Sequence, residues 1–184
     1  MNAGVNLVFT SLCVHATMTM GNQSAFAHFA DVSDRPVGVF MPHLFFYRPW
    51  WGSGQLISPA GKLLAKYRVR GAGLKDAANG ALRQVWTWDS GLEQVSEWEF
   101  LSTDEDGYAA RDLRSGVVAR GRRSGKSFVW AFKTKAPTPF GTQTVRVQTT
   151  YSTLSATMAE SVTKTTLMGV VPVSSAETLY SHEI

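Results

Sequence analysis

The chain has 184 residues, 44% of them hydrophobic, which is enough to bury one sizeable core and too little for two. Its net charge of +4 comes from 18 basic against 14 acidic residues, an excess too mild and too dispersed for a nucleic-acid-binding face. Cys13 is the only cysteine, which excludes an intrachain disulfide and a thiolate metal cluster within the chain, and no stretch approaches the ~18 uninterrupted apolar residues of a membrane-spanning helix.

Residues 1–36 read as a segment apart from the rest. Val5 to Val14 is apolar, and Ala25-Phe26-Ala27 has the small-x-small form of a signal-peptidase site. Against export, no Lys or Arg precedes Arg35, and Asn6, Thr10, Ser11 and His15 interrupt the apolar run. The balance favours a cytoplasmic location over a secreted or periplasmic one. A short helix is expected over Ser24 to Ala30, with the segment acting as a lid or a frayed tail.

From Val37 onward the pattern is period two, so residues 37–184 are read as a single β domain. Ser58-Pro59-Ala60-Gly61 makes a tight turn. Lys62 to Gly71 then places Leu63, Ala65, Tyr67 and Val69 on one face, against Leu64, Lys66, Arg68 and Arg70 on the other. Leu82, Gln84, Trp86 and Trp88 share a face, Asp89-Ser90-Gly91 turns the chain, and Leu92 to Leu101 returns with Trp98 and Phe100 opposite Glu93, Glu97 and Glu99. The carboxylates belong on the solvent side, because the inverse register would expose two large rings at a cost of about 2 kcal/mol each.

After a turn at Thr103 to Gly107, short strands are expected near Tyr108 to Asp112 and Gly116 to Arg120. A hairpin tip follows at Arg122 to Lys126, and Phe128, Trp130 and Phe132 share the next inward face. The run Gly121-Arg122-Arg123-Ser124-Gly125-Lys126-Ser127 superficially resembles a phosphate loop. It is one residue short and joins two strands instead of a strand and a helix. Ala136 to Gly141 reads as a loop because Pro137 and Pro139 remove ladder donors. Val145, Val147, Thr149 and Tyr151 then alternate inward. Thr153 to Ala159 and Val162 to Val171 complete the β-rich tail, the latter with helical character over Val162 to Gly169.

The count is about eight to ten antiparallel strands without intervening helices. An all-β barrel accommodates this pattern and removes exposed edges. His15, His28, His43 and His182 are scattered without metal-ligand spacing, and no Gly-x-Ser-x-Gly elbow is present. Neither a metal nor a cofactor is expected.

Three stretches carry a family resemblance: Pro42-His43-Leu44-Phe45-Phe46, Trp51-Gly52-Ser53-Gly54 and Ser58-Pro59-Ala60-Gly61-Lys62. They resemble the opening of a bacterial family of calycin-type, lipocalin-like proteins known only as a domain of unknown function. Ser161-Val162-Thr163-Lys164, Gly169-Val170-Val171-Pro172-Val173 and Glu177-Thr178 are similar to its closing segment. Here Tyr47-Arg48-Pro49 replaces the Gly usual after Phe-Phe, and the acidic residues common in the central strands are only partly present. The resemblance implies a lipocalin-like barrel with a cavity. Many members look like envelope lipoproteins, yet Ser11-Leu12-Cys13 lacks the small residue a lipobox needs before its cysteine.

The aromatic set Tyr67, Trp86, Trp88, Trp98, Trp130 and Tyr151 is therefore the expected wall of a site for a small apolar or amphipathic molecule, with Gln84, Gln94 and Ser96 orienting it. A cofactor-free isomerase or cyclase working in the same cavity, and a structural protein with a filled barrel, are the alternatives.

Overall fold

A computed structural model of the protein describes residues 40, 42–74, 81–103, 107–138 and 141–182. The helix expected over Ser24 to Ala30, the leader-like segment and the turn residues 104–106 lie outside the described residues. A single helical turn, α1 (Pro42–Phe45), leads into ten strands. They are β1 (Trp50–Ile57), β2 (Leu63–Leu74), β3 (Ala81–Trp88), β4 (Glu93–Thr103), β5 (Gly107–Asp112), β6 (Val118–Ser124), β7 (Ser127–Thr138), β8 (Gly141–Thr153), β9 (Met158–Leu167) and β10 (Val171–His182). Each strand pairs antiparallel with its neighbours in sequence, and β1 pairs with β10 from Trp50↔His182 to Ile57↔Ser175. This is a closed up-and-down barrel, so no strand is left as a full-length edge.

Local sequence explains most of the boundaries. Gly61 at φ 78° and Gly91 at φ 81° occupy the left-handed positions that end the first two tight turns on the same side of the barrel. The β3–β4 turn is closed by Gly91 N–H to Trp88 O at 2.9 Å, and Asp89 Oδ2 accepts the Lys66 amide at 3.1 Å, tying that turn to β2. On the outer face Arg83 meets Glu97 at 3.4 Å and Arg111 meets Glu99 at 2.6 Å, so these carboxylates stand on the solvent side as their alternation implies. Gly121 to Ser127 forms a strand–turn–strand hairpin with the pair Ser124↔Ser127.

Four expectations are corrected. Pro42 to Phe46, placed in the period-two region, instead form a helical turn closed by Phe46 N–H to Pro42 O at 2.9 Å. Leu63, assigned inward, is 39% exposed because a bulge at Leu56/Ile57 shifts the register at the head of β2. The loop expected from Ala136 is strand up to Thr138, with Pro137 opposite Thr142. The β6 ladder on β7 stops at Arg120↔Ala131, so this stretch has a partner on one side only, and a residue without an N–H is tolerated there. The tail divides differently as well: residues 154–157 turn, Val162 to Leu167 is strand, and Val171 to His182 is a tenth strand that closes the barrel.

The strands run alternately between two ends. At one end stand α1, the start of β1 and the last residues of β2, β4, β6, β8 and β10, and at the other the last residues of β1, β3, β5, β7 and β9. The main core fills the first end: Phe40, Phe45, Phe46, Trp50, Phe100, Tyr108, Phe128 and Tyr180 are each less than 9% exposed. Inward glycines make room for these rings. A Cβ on Gly71 would lie 2.6 Å from the Trp50 indole, and one on Gly121 would lie 2.3 Å from Phe128.

Candidate functional site

Above the packed end the barrel is hollow. A cavity of about 270 Å³ opens between the strands toward the second end, where Asp112, Arg114, Ser115 and Val117 of the β5–β6 connection stand at its mouth. Its lower boundary is the aromatic plug. Phe40 stacks on Tyr151 at 5.0 Å with rings 6° apart, Phe46 packs against Trp50 at 4.8 Å and Tyr180 at 5.5 Å, and Phe45 lies 4.3 Å from the His182 ring. His182 Nε2 donates to Phe45 O at 2.7 Å, pinning α1 to the end of β10.

Two aromatic groups form one side of the cavity. Tyr67 on β2 lies 5.2 Å from Trp86 and 5.1 Å from Trp88, both on β3. Trp98 on β4 reaches across to Trp130 at 6.1 Å and Phe132 at 5.5 Å, both on β7. That reach is possible because the intervening strands β5 and β6 turn only small residues inward there, with Ala110 and Ala119 paired and fully buried. The six aromatics expected to wall the site, Tyr67, Trp86, Trp88, Trp98, Trp130 and Tyr151, thus all border this one cavity, as do Gln84, Gln94 and Ser96. Ser96 Oγ donates to Gln84 Oε1 at 3.1 Å.

The opposite side is made of hydroxyls. Thr149 on β8, Thr163 and Thr165 on β9 and Ser174 on β10 face inward, and Thr149 Oγ1 is 2.9 Å from Thr163 Oγ1. Ser174 is 6% exposed, and its Oγ has no hydrogen-bond partner among the described residues; the same holds for Trp88 Nε1. Thr149 was legible from the alternation on β8, whereas Thr163, Thr165 and Ser174 escaped sequence reasoning because inward Ser and Thr show little hydropathy contrast with outward Val162, Thr166 and Ser175. The only available signal was the β-propensity of the threonines.

At the floor three phenols come together. Tyr67 OH is 2.7 Å from Thr178 Oγ1, Tyr180 OH is 3.0 Å from Ser161 Oγ, and the Tyr151 ring lies 6.1 Å from that of Tyr180. Burial pushes the ionisation of Tyr67, Tyr151 and Tyr180 above the usual phenol range, reinforced for Tyr67 and Tyr151 by a neighbouring phenol. All three stay neutral and protonated at neutral pH. Asp112 and Arg114 are the charged residues that border the cavity, both at the mouth. Among the described residues, no group of three or more His, Cys, Asp or Glu side chains is arranged to hold a metal, and no helix is long and apolar enough to cross a membrane.

The family profile described as "Protein of unknown function (DUF3833)" matches residues 21–168. The chain belongs to this family. The match takes in the Pro42 to Phe46 segment that forms the plug and ends before β10. No curated protein matches the chain. Among solved structures, the S-type phycobiliprotein lyase CPES of Guillardia theta is similar in fold, with a TM-score of 0.55 over 74% of this chain and 88% of that one at 7% identity. At that identity the likeness concerns the lipocalin-like barrel alone.

Proposed function

We infer that the protein binds a small apolar or amphipathic molecule in the barrel cavity without covalent chemistry. The observation that carries this is the division of the cavity into an aromatic side and a hydroxyl side, with charge confined to the mouth. Such a site favours a ring-bearing, uncharged body whose faces lie on Trp86, Trp98 and Trp130. A polar edge of that body meets Thr149, Thr163 and Ser174. The volume lies near the lower edge of the ~300–1,000 Å³ range of ligand pockets, which supports a compact one- to three-ring molecule over a long acyl chain. The structural neighbour is a phycobiliprotein lyase; a binding role on the same barrel architecture is compatible with that, and the fold by itself assigns no ligand.

Tryptophan fluorescence titrated with terpenoids, aromatic polyketides and long-chain lipids tests the reading. Saturable quenching or blue shift is expected for compact ring compounds. No saturable change with any of the three classes would refute it. Turnover of a bound compound would instead favour the isomerase or cyclase reading, with the neutral phenols of Tyr67 and Tyr180 as donors to a carbonyl oxygen.

A further inference from the structure

Of the ten large hydrophobic side chains exposed among the described residues, six stand at the open end, including the three most exposed, Met168, Val170 and Val171; Tyr47, Trp51 and Leu101 stand at the closed end and Val162 on the outer wall. Leu113 on the β5–β6 connection is 50% exposed and Val118, heading β6, is 42% exposed. On the β9–β10 connection Met168 is 71%, Val170 77% and Val171 57% exposed. Met168 holds a left-handed φ of 51°, followed by Gly169 at 79°, so a bulky residue is kept in a disfavoured conformation at the tip of that connection. Met168 N–H donates to Thr144 O at 2.9 Å, fixing the tip against β8.

Directly below this tip, the outward face of β7, β8 and β9 carries Lys133, Lys135, Arg146 and Lys164, all exposed. Lys133 lies opposite Arg146 in the ladder, and Lys164 opposite Gln148. None of the four makes an ion pair among the described residues. On these three strands Glu160 is the only acidic residue, and it stands at the other end of β9, opposite Ser152. Apolar tips projecting beyond an unneutralised basic flank form the pattern that inserts shallowly into a bilayer interface while cations meet its headgroups.

We propose that the β5-to-β10 side of the open end docks on an anionic lipid bilayer, bringing the cavity mouth to the membrane surface. Separate connections present the apolar tips around an opening, so they do not make one continuous face. A deformable lipid interface engages all of them together, whereas a second protein surface would have to match each tip. Each exposed cation near the surface strengthens the attraction, and added salt weakens it. The inference is independent of which molecule occupies the cavity.

Co-sedimentation of the full chain with vesicles of phosphatidylcholine containing phosphatidylglycerol tests it. The protein is expected to pellet with these vesicles, to pellet several-fold less with pure phosphatidylcholine, and to be released by high salt. Met168→Asp combined with Val170→Asp, and separately Lys133→Glu combined with Arg146→Glu, should each reduce binding about tenfold or more with the circular dichroism spectrum unchanged. Val162→Ser, which removes an exposed apolar side chain from the outer wall of β9 without changing charge, should leave it unchanged. If the tip variant misfolds, Leu113→Ser on the other connection serves in its place. The proposal is overturned by absence of vesicle binding, or by binding that the tip and flank variants do not alter. It is equally overturned by self-association or duplex nucleic-acid binding that the same variants abolish while vesicles are ignored.

Discussion

At the closed end of the barrel Phe40, Phe45 and Phe46 fill the space between Trp50, Tyr151 and Tyr180, whereas toward the open end Trp88, Trp98 and Trp130 leave about 270 Å³ between themselves and the threonines of β8 and β9. Both ends draw on large rings at alternating strand positions. They differ because α1 and the residues flanking it bring Phe40, Phe45 and Phe46 to one end only, and because β10 and β9 supply hydroxyls in place of apolar side chains toward the other. Aromatic content therefore says little about whether a barrel is filled. What decides it is whether a segment outside the strands enters to complete the packing.

The contrast makes unequal predictions for the two ends, and the largest concerns the plug. Phe46→Ala should cost about 3–5 kcal/mol in chemical denaturation, because its ring is enclosed by five others and leaves a cavity the rigid barrel cannot close. Trp98→Ala, facing space that is already empty, should cost roughly half as much or less. Equal losses would erase the distinction between the ends. Next, Gly121→Ala should cost about 1–3 kcal/mol, since the new methyl would sit 2.3 Å from Phe128 and 2.5 Å from Trp130. A neutral result would mean that those rings shift freely.

Alkaline pH probes the phenols at the boundary between the two ends. The folded state holds the protons of Tyr67, Tyr151 and Tyr180 more tightly than the unfolded chain does. Stability from this source is therefore complete below the ordinary phenol pKa of ~10 and falls as pH rises above it, by up to about 1.4 kcal/mol per phenol per pH unit. Tyr67→Phe should flatten that fall by one proton, read from denaturation midpoints between pH 9 and 11. The smallest effect is expected outside the barrel: breaking the Arg83–Glu97 pair should change stability by less than about 1 kcal/mol, because both side chains are solvated.

How much of this was legible in the sequence varies around the barrel. On β2 and β4 inward rings alternate with outward charges, and on β3 and β7 the rings recur at every second position, so register and the cavity's aromatic side could be read from Tyr67, Trp86, Trp98 and Trp130. On β9 and β10 the inward series Ser161, Thr163, Thr165 and Ser174, Ala176, Thr178 does not contrast with its neighbours, and both the strand boundaries and the hydroxyl side went unread. The plug was hidden for another reason. Phe45 and Phe46 are consecutive and so obey neither period, and their placement depends on His182 at the far end of the chain. Pro137 shows the converse, a sound local rule applied without knowing that β6 ends early and leaves β7 one free side.

The account stands or falls on whether the open end admits a ligand while the closed end does not. The direct measurement is a titration of the protein with a fluorescent two-ring apolar probe such as 1-naphthylphenylamine, run beside a Thr149→Trp variant that fills the cavity and keeps a native circular dichroism spectrum. The predicted result is saturable one-to-one binding to the natural chain and its loss in the variant. Absence of saturation in the natural chain, or equal binding by both proteins, would contradict it.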